Sequence, residues 1–348
     1  MVVVFYISGH GFGHASRDVE LIRTLHALRP DVRLIARTSV PRWLFAPADA
    51  PVEVQALETD TGVVQIDSLT LDEEETARQA ARFFASFDRR VAIEAEWLRG
   101  VGADVVVADI PPLAFAAAER AGVPSVAVGN FTWDWIYSIY PAFDRIATNV
   151  IPAIRRAYAA ATHALRLPLH GGFEPMAAVT RDIPFIARRS RRDPADTRRQ
   201  LGISDERPVV LPSFGGYGAD LPIETIGRAG RLTIIDVVRE PPDGLLYEDL
   251  VAAADVVVSK PGYGIVSECV ANGTALLYTS RGRFIEYDVF VDEMPALVRC
   301  RHISQDDLLA GQWADAIDEL LAQPSPTLQP AINGADVAAR HIAAVAGA

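Results

Sequence analysis

The sequence predicts an α/β protein made of two similar units in series, each with a parallel β-sheet. The chain has 348 residues, and at roughly 100–200 residues per domain this length suggests two domains. Apolar residues make up 50% of the chain, which is enough to build large cores. Short apolar runs alternate with helix-like segments in both halves, and such alternation implies a parallel sheet covered by helices on both faces.

Strand and helix candidates alternate through the first half. Val19, Ile22 and Leu25 recur at helical spacing after the first strand and predict an amphipathic helix. A long charged segment and an alanine-rich segment closed by glycine predict further helices at 72–99 and 113–122. The strand candidates are the apolar runs at 2–8, 32–36, 52–57, 104–109 and 124–130.

An arginine-rich segment separates the two halves. Residues 181–199 hold seven arginines and two prolines and predict an inter-domain linker that leads into a helix. The alternation then restarts. Strand candidates follow at 208–214, 232–238, 255–259 and 275–279, and helix candidates at 247–254, 265–273 and 336–347. Open sheets of this kind bind ligands at the carboxyl ends of their strands, so two facing sheets predict a site in the cleft between the units.

The composition excludes several classes of function. A formal charge of −12 disfavours general nucleic-acid binding, which depends on neutralising phosphates, and disfavours adhesion to an acidic membrane. The apolar runs are far shorter than the roughly 18 residues that span a bilayer. The N-terminus lacks the basic region of a signal peptide. Cys269 and Cys300 cannot form a disulfide framework and fit a reducing compartment. We therefore expect a cytoplasmic protein with no transmembrane segment.

The motif SGHGFGHASR (8–17) follows the first strand directly. Its glycines allow a tight turn and a close approach to a ligand, and the helix after it presents free N–H groups. A dinucleotide-binding fingerprint would need a third glycine where His14 stands. The second strand also ends in Arg37 rather than in an acidic residue that would bind a ribose. The motif therefore disfavours a dehydrogenase.

His14 is the candidate general base, because a neutral imidazole at this turn can accept a proton from a hydroxyl. Asp109, at the end of a strand, is the candidate partner that orients this imidazole. The alternatives are a histidine that caps or packs against the first helix, and an N-cap or turn aspartate before the helix at 113–121. His10 suggests a metal pair with His14, but the intervening Gly-Phe-Gly disfavours a helix, and we expect no metal site.

The motif SKPGYGIVSE (259–268) carries the strongest signal for a diphosphate. Its glycines free the backbone at a helix start, whose positive end suits phosphates. Lys260, the only lysine of the chain, stands beside this loop. Glu268, one turn into the helix, is a candidate acceptor for both hydroxyls of a ribose. The alternative is an ordinary exposed helical glutamate.

Three further segments follow strands of the predicted sheets. RGRFIEYD (281–288) offers Glu286 to a sugar, and SFGG (213–216) offers Ser213 and backbone N–H groups to phosphates. The alternative for both segments is that these are ordinary loop residues with no role in ligand binding. NFTWDWIYSIY (130–140) supplies aromatic rings that either stack on a sugar or line an acceptor pocket, or pack in a core.

With these motifs, the chain resembles the GT-B glycosyltransferases, the group that includes MurG and the UDP-glycosyltransferases. It is similar, more specifically, to the glycosyltransferase-like N-terminal half of plant L-arabinokinases and their bacterial standalone relatives. The resemblance implies two Rossmann-like domains that face each other across a cleft. It implies an acceptor domain at 1–180, a nucleotide-sugar donor domain at 181–330, and a C-terminal helix at 331–348 that packs back on the first domain.

The resemblance also implies roles for single residues. His14 matches the base and Asp109 its carboxylate partner, Glu268 matches the ribose-binding glutamate, and Glu286 takes the place of the residue that contacts the donor sugar. The expected acceptor-side residues are His10, Phe12, Trp133 and Trp135. The expected donor-binding residues are Gly13, Ser213, Gly215, Gly216, Lys260, Pro261, Gly262, Tyr263, Gly264, Glu268 and Glu286.

These residues together predict an inverting, metal-independent transfer from a nucleotide sugar, such as a UDP-sugar, to a hydroxyl acceptor. The nucleotide sugar is a substrate, and no cofactor is expected. Two alternatives stay open. A nucleotide-sugar 2-epimerase would convert the donor without any second substrate. A non-catalytic nucleotide-sugar-binding protein would have His14 and Asp109 too far apart for a hydrogen bond.

Overall fold

The computed structural model describes residues 1–204, 206–215, 220–236 and 241–347. The chain forms two compact units. The first consists of residues 1–64, 72–186 and the chain from 331 onward, and the second of residues 65–71 and 187–330. The segment 65–71, which interrupts the first unit in sequence, therefore belongs to the second.

The first unit is a parallel sheet with helices between its strands. Its strands are β1 (Val2–Ile7), β2 (Arg33–Thr38), β3 (Val52–Ala56), β4 (Val105–Asp109), β5 (Ser125–Gly129), β6 (His163–Arg166) and β7 (Thr180–Asp182). Its helices before the second unit are α1 (Gly13–Leu28), α2 (Glu73–Ala85), α3 (Phe87–Val101), α4 (Pro112–Ala121), α5 (Trp133–Tyr137), α6 (Ala142–Ile146) and α7 (Val150–Ala159).

The second unit has the same kind of architecture. Its strands are β8 (Val209–Ser213), β9 (Thr233–Ile234), β10 (Val256–Ser259), β11 (Ala275–Tyr278) and β12 (Cys300–His302). Its helices are α8 (Pro194–Gln200), α9 (Ile223–Arg228), α10 (Tyr247–Ala253), α11 (Tyr263–Asn272), α12 (Ile285–Glu293), α13 (Gln305–Leu309) and α14 (Ala314–Leu321). The strand predicted at 232–238 is shorter, and its residues 237 and 238 lie outside the described part of the chain.

Strand order fixes where each unit can bind a ligand. The first sheet has the order β3-β2-β1-β4-β5-β6-β7, and the second has the order β12-β11-β10-β8-β9. The order of the strands along the chain reverses between β1 and β4 and between β8 and β10. In open α/β sheets, ligands bind beyond the carboxyl ends of the strands at such a reversal. The motifs after β1 and β10 both lie at these points. The predicted α/β class with parallel sheets is confirmed.

The predicted helix at 72–99 is two helices. α2 begins with the Asp72 carboxylate accepting a hydrogen bond from the Glu75 N–H at 2.8 Å, and it ends before Ser86. The Ser86 hydroxyl donates to the Phe83 carbonyl at 3.2 Å, so its side chain bonds locally to the backbone where α2 ends. α3 then runs from Phe87 to Val101 and is capped by Gly102, which adopts a left-handed conformation.

The last helix, α15 (Gly334–Ala346), returns to the first unit and packs against α1. Two backbone hydrogen bonds fix its start: Phe185 N–H donates to the Ala331 carbonyl, and Gly334 N–H to the Phe185 carbonyl. Ala338, Ala339 and Ile342 are fully buried on its inner face. Within the described residues, each helix is either too short or too polar to cross a lipid bilayer.

Replacing Gly334 by alanine should weaken the start of α15. A Cβ atom there would lie 2.7 Å from the Phe185 carbonyl oxygen and closer still to that of Pro184, so the backbone would have to shift. Overpacking of this kind costs about 1–3 kcal/mol. We expect Gly334→Ala to lower the free energy of unfolding by that amount in denaturant titrations.

Gly100→Ala is the matched control, because a Cβ atom on Gly100 in α3 would meet no atom within 4 Å. Alanine is favoured over glycine in helices by roughly 0.5–1 kcal/mol, so this variant should be unchanged or more stable. Equal stability of the two variants would contradict the tight start of α15.

Candidate functional site

The glycine-rich turn after β1 is held by short local contacts. The Ser8 hydroxyl donates to Asp60 Oδ1 at 3.0 Å, and the His10 N–H donates to Ser8 Oγ at 3.2 Å. Gly11 has a φ of +71°, a conformation that favours glycine. A Cβ atom on Gly9 would overlap the Ser39 side chain. The turn therefore needs glycine at both positions, and it leads into α1 at Gly13.

His14, in the first turn of α1, meets Asp109 at the end of β4. His14 Nδ1 lies 2.8 Å from Asp109 Oδ1, and both side chains are buried. β1 and β4 are neighbours in register, with Ile7 opposite Asp109, so the loop after one strand reaches the end of the other. α4 begins after Pro111 with no side-chain cap, so Asp109 does not cap that helix.

Arg17 is the residue of this cluster that sequence reasoning missed. It lies one turn beyond His14 and donates two hydrogen bonds to Asp109, from Nε at 2.5 Å and from Nη2. Its Nη1 donates to Asn130 Oδ1, just after β5, at 2.7 Å. Arg17 follows His14 by three residues, a spacing that places the two side chains on one face of a helix. This spacing could have predicted from the sequence that Arg17 belongs to the cluster. Asn130 carried no comparable signal.

The protonation of the cluster follows from these contacts. Burial alone would raise the pKa of Asp109, but the charges and hydrogen bonds of Arg17 and His14 outweigh it and hold the pKa at about 2. An ionised carboxylate only accepts hydrogen bonds, so the 2.8 Å contact with Asp109 favours a proton on His14 Nδ1, although Arg17 Nη2 also lies 3.0 Å from this nitrogen. In neutral His14 the lone pair is then on Nε2. That is the tautomer a general base requires.

Asp18 lies next to this cluster, and its pKa is shifted in the direction opposite to that of Asp109. Its side chain is buried, and among the described residues neither carboxylate oxygen has a hydrogen-bond partner. Burial and the nearby charge of Asp109 raise the pKa of Asp18 well above its ordinary value. Arg17 therefore neutralises Asp109, whereas the buried position of Asp18 favours the neutral form of its carboxyl group.

Trp133 packs against His10 and donates in turn to a second buried carboxylate, that of Asp60. The His10 ring lies edge-on to Trp133 at 5.3 Å between centroids, and its Nδ1 accepts from the Val63 N–H at 3.2 Å. Trp133 Nε1 donates to Asp60 Oδ2 at 2.8 Å. Burial raises the pKa of Asp60 to about 6, although Ser8, His14 and Trp133 oppose this. Asp60, four residues beyond β3, was not predicted from the sequence.

The predicted acceptor-side aromatics differ in exposure. Trp133 is 1% exposed, as expected if most aromatic residues of the segment 130–140 pack in the core. Trp135 is half-buried and occupies the space beside Gly171, where a Cβ atom would overlap its ring. Phe12 is half-buried and lies edge-on to Trp43 at 5.6 Å between centroids. Trp43 is a further exposed ring near the turn that the sequence analysis did not single out.

In the second unit, the predicted phosphate-binding residues lie beyond β8 and β10. α11 begins at Tyr263 with Gly262 as its N-cap, and Gly264 is in its first turn. Lys260 Nζ donates to Gln65 Oε1 at 3.1 Å, and Pro261 is buried beside it. The remaining predicted phosphate-binding residues are placed as follows. Ser213 Oγ lies 2.5 Å from the Tyr247 hydroxyl, Gly215 is exposed with a φ of +70°, and Gly216 lies outside the described residues.

Glu268 is buried and paired with an arginine from the segment before α8. It is 3% exposed, so the alternative of an exposed helical glutamate is wrong. Its Oε1 accepts from Arg188 Nε at 2.7 Å and lies 2.5 Å from Nη2, while Glu248 Oε2 is 3.8 Å from Nη1. Burial raises the pKa of Glu268 although Arg188 opposes it. Arg188 was missed, because nothing local connects residues 80 positions apart.

Glu286 is also buried and also paired with an arginine. Arg281 Nη2 donates to Glu286 Oε2 at 2.8 Å, and the Arg281 guanidinium lies 3.8 Å from the Phe284 ring centroid.

Among the described residues, no three His, Cys, Asp or Glu side chains are grouped to hold a metal ion.

Comparison with known proteins identifies relatives that are similar to this chain in amino-acid sequence. No family model matches the chain. L-arabinokinase of Arabidopsis thaliana is 32% identical over 98% of this chain, which spans 34% of that protein. A second relative is 29% identical over 57% of this chain and 57% of its own length. It is the UDP-N-acetylglucosamine--N-acetylmuramyl-(pentapeptide) pyrophosphoryl-undecaprenol N-acetylglucosamine transferase of Clavibacter michiganensis subsp. michiganensis. The chain thus covers only part of the curated relatives it matches.

Solved structures similar to this chain share its fold. MurG of Acinetobacter baumannii matches with a TM-score of 0.54 and 11% identity, over 99% of both chains. UGT2 of Phytolacca americana matches with a TM-score of 0.58 and 13% identity, over 99% of this chain and 94% of that one. Identities this low establish the fold alone. The chain thus has the two-domain, Rossmann-like fold of the GT-B glycosyltransferases.

Proposed function

We propose that the protein transfers a glycosyl group from a nucleoside-diphosphate sugar, a UDP-sugar, to an acceptor hydroxyl, with inversion and in the cytoplasm. The observation that carries this proposal is the 2.8 Å contact between His14 Nδ1 and Asp109 Oδ1 at the carboxyl edge of the first sheet. A non-catalytic sugar-nucleotide-binding protein predicts the opposite, a separation too large for a hydrogen bond. The contact therefore favours a catalytic role.

In the proposed reaction, His14 Nε2 takes the proton of the acceptor hydroxyl. The acceptor oxygen attacks the anomeric carbon, and the bond from that carbon to the diphosphate oxygen breaks. The nucleoside diphosphate leaves with the electron pair, and the anomeric configuration inverts. Asp109 stabilises the imidazolium that forms, and its pKa of about 2 keeps it ionised at physiological pH.

On the donor side, the start of α11 and Lys260 support the binding of the diphosphate. The N-terminus of a helix carries a partial positive charge and unpaired N–H groups, which stabilise an anion. These groups would also stabilise the charge that develops on the leaving diphosphate, so the proposed transfer needs no metal ion.

Replacing His14 by alanine should remove most of the turnover. General-base catalysis contributes roughly 10²–10⁴-fold, so nucleoside diphosphate release from the donor should fall by about that factor. Affinity for UDP should change by less than about threefold, since His14 is not assigned to the donor. The measurement is UDP release from UDP-sugars with a panel of hydroxyl acceptors, beside a binding titration.

His26→Ala is the control, because His26 lies on the same helix in its last turn, about 18 Å along its axis. It should leave turnover unchanged. Near-normal turnover in His14→Ala would remove the base assignment. Conversion of the donor sugar with no acceptor present would instead indicate the epimerase.

Replacing Glu268 by glutamine should reduce the preference for a ribose diol. A hydrogen bond to a charged group is worth about 1.5–3 kcal/mol, so wild type should bind UDP about 10–100-fold more tightly than 2′-deoxy-UDP. In Glu268→Gln this ratio should shrink towards one.

Glu248→Gln is the matched control, because Glu248 lies beside the same arginine and is not assigned to the ribose. This variant should keep the wild-type ratio, as measured by calorimetry with both nucleotides. If Glu268→Gln also keeps it, the ribose assignment is wrong.

A further inference from the structure

Two cationic side chains of the second unit come from the ends of neighbouring strands. Lys260 follows β10 directly, and Arg281 lies just beyond β11. These strands are paired in register, with Ser259 opposite Tyr278. A Cβ atom on Gly262 would lie 4.0 Å from Arg281 Nη1, so the guanidinium reaches the N-cap of α11. Two cations and the positive end of a ten-residue helix therefore converge.

Arg281 is paired with Glu286, but its charge still opposes that of Lys260, and both cations are largely removed from water. Arg281 is 8% exposed, and Lys260 is half-buried. Burial, and next the charge of Arg281, lower the pKa of Lys260 to about 7, while Asp67 opposes this. Lys260 donates its hydrogen bond to Gln65, a neutral group. An anion placed between the two cations would relieve their repulsion.

Arg281 is held in a fixed direction. Its Nη2 donates to Glu286 at 2.8 Å, and its guanidinium lies over the Phe284 ring. With one edge bound to Glu286, the planar guanidinium directs Nη1 towards Gly262. Arginine is suited to this task, since its rigid fork matches phosphate oxygens.

We propose that Arg281 and Lys260 together bind the diphosphate of the donor, and that Glu286 positions Arg281 rather than contacting the donor sugar. This inference rests on the proposed function, and it identifies the groups that recognise the diphosphate. The diphosphate replaces Gln65 as the partner of Lys260. Both cations then stabilise the charge that develops as the nucleoside diphosphate leaves.

The test is calorimetric titration of the full chain with UDP, uridine and a UDP-sugar. Arg281→Gln should weaken UDP binding by about 10–100-fold, as expected for loss of a charged hydrogen bond, and should leave uridine binding unchanged. Arg283→Gln is the matched control, since it removes the same charge from an exposed position of the same loop. It should change UDP affinity by less than about threefold.

The same titration separates two roles for Glu286. If Glu286 positions Arg281, Glu286→Gln weakens UDP and the UDP-sugar equally, and its effect does not add to that of Arg281→Gln. If Glu286 contacts the sugar, this variant weakens the UDP-sugar while UDP binding stays as in wild type, and the positioning role is wrong. Melting temperatures of each variant establish that it is folded.

Lys260 provides a second readout. At pH 8 the diphosphate is fully ionised, while Lys260, with a pKa of about 7, is mostly neutral before the ligand binds. Binding should therefore take up about one proton, measured from the heats in buffers of different ionisation enthalpy. Lys260→Arg keeps the charge at every pH and should abolish the uptake. Equal uptake in both proteins would contradict the role of Lys260.

The outcomes also separate this inference from the function it rests on. If wild type binds UDP and Arg281→Gln binds it equally well, only the diphosphate assignment is wrong. If wild type binds none of UDP, dTDP and GDP, the donor site itself is wrong, and this inference is overturned with it.

Discussion

The buried charge of Asp109 is the constraint that organises the first unit. A carboxylate without water must be solvated by protein groups, and here Arg17 and His14 do so. Removing one partner of such a buried pair costs about 3–5 kcal/mol. The same hydrogen bonds fix the His14 tautomer and draw the ends of β1, β4 and β5 together through Asn130. Stability and the candidate chemistry therefore depend on one set of contacts.

The second unit repeats this principle. Glu268 is paired with Arg188, and Glu286 with Arg281. Each acidic residue that the motifs suggested as a functional group is thus buried and held by an arginine. A buried carboxylate needs a charged partner with several donors, and the guanidinium supplies them in a fixed geometry. In each pair the arginine holds the carboxylate in one direction. In the pair of Glu286 and Arg281, the carboxylate also holds the guanidinium in one direction.

Much of the fold was predictable because it depends on local patterns. Apolar runs, helical spacing and glycine turns identified most of the strands and about half of the helices, and they gave the α/β class. The carboxyl ends of parallel strands meet at one edge, so the approach of the Gly-rich turn to Asp109 followed from the strand assignments. Strands β6, β7 and β12 were not anticipated, since they are short and flanked by no clear signal.

The missing parts of the site depend on long-range contacts. Arg188 and Glu268 meet only once the second unit has folded, and residues 65–71 contact Lys260 and Phe214 from far away in sequence. With a single lysine, nearly all the cations of this chain are arginines, so no single arginine stood out. Lys260 did stand out for the same reason. The position of Arg17 could have been predicted, because helical spacing alone places it beside His14.

The central claim is that the second unit binds a nucleotide sugar. The most direct test is a thermal-shift screen of nucleoside diphosphates, their sugars and NAD(H) against the wild-type protein. A ligand at 100 times its dissociation constant stabilises the folded state by about 2.7 kcal/mol, which raises the melting temperature measurably. The account predicts a clear rise with one nucleoside diphosphate and its sugars. A rise with NAD(H) alone, or with none of these ligands, would contradict it.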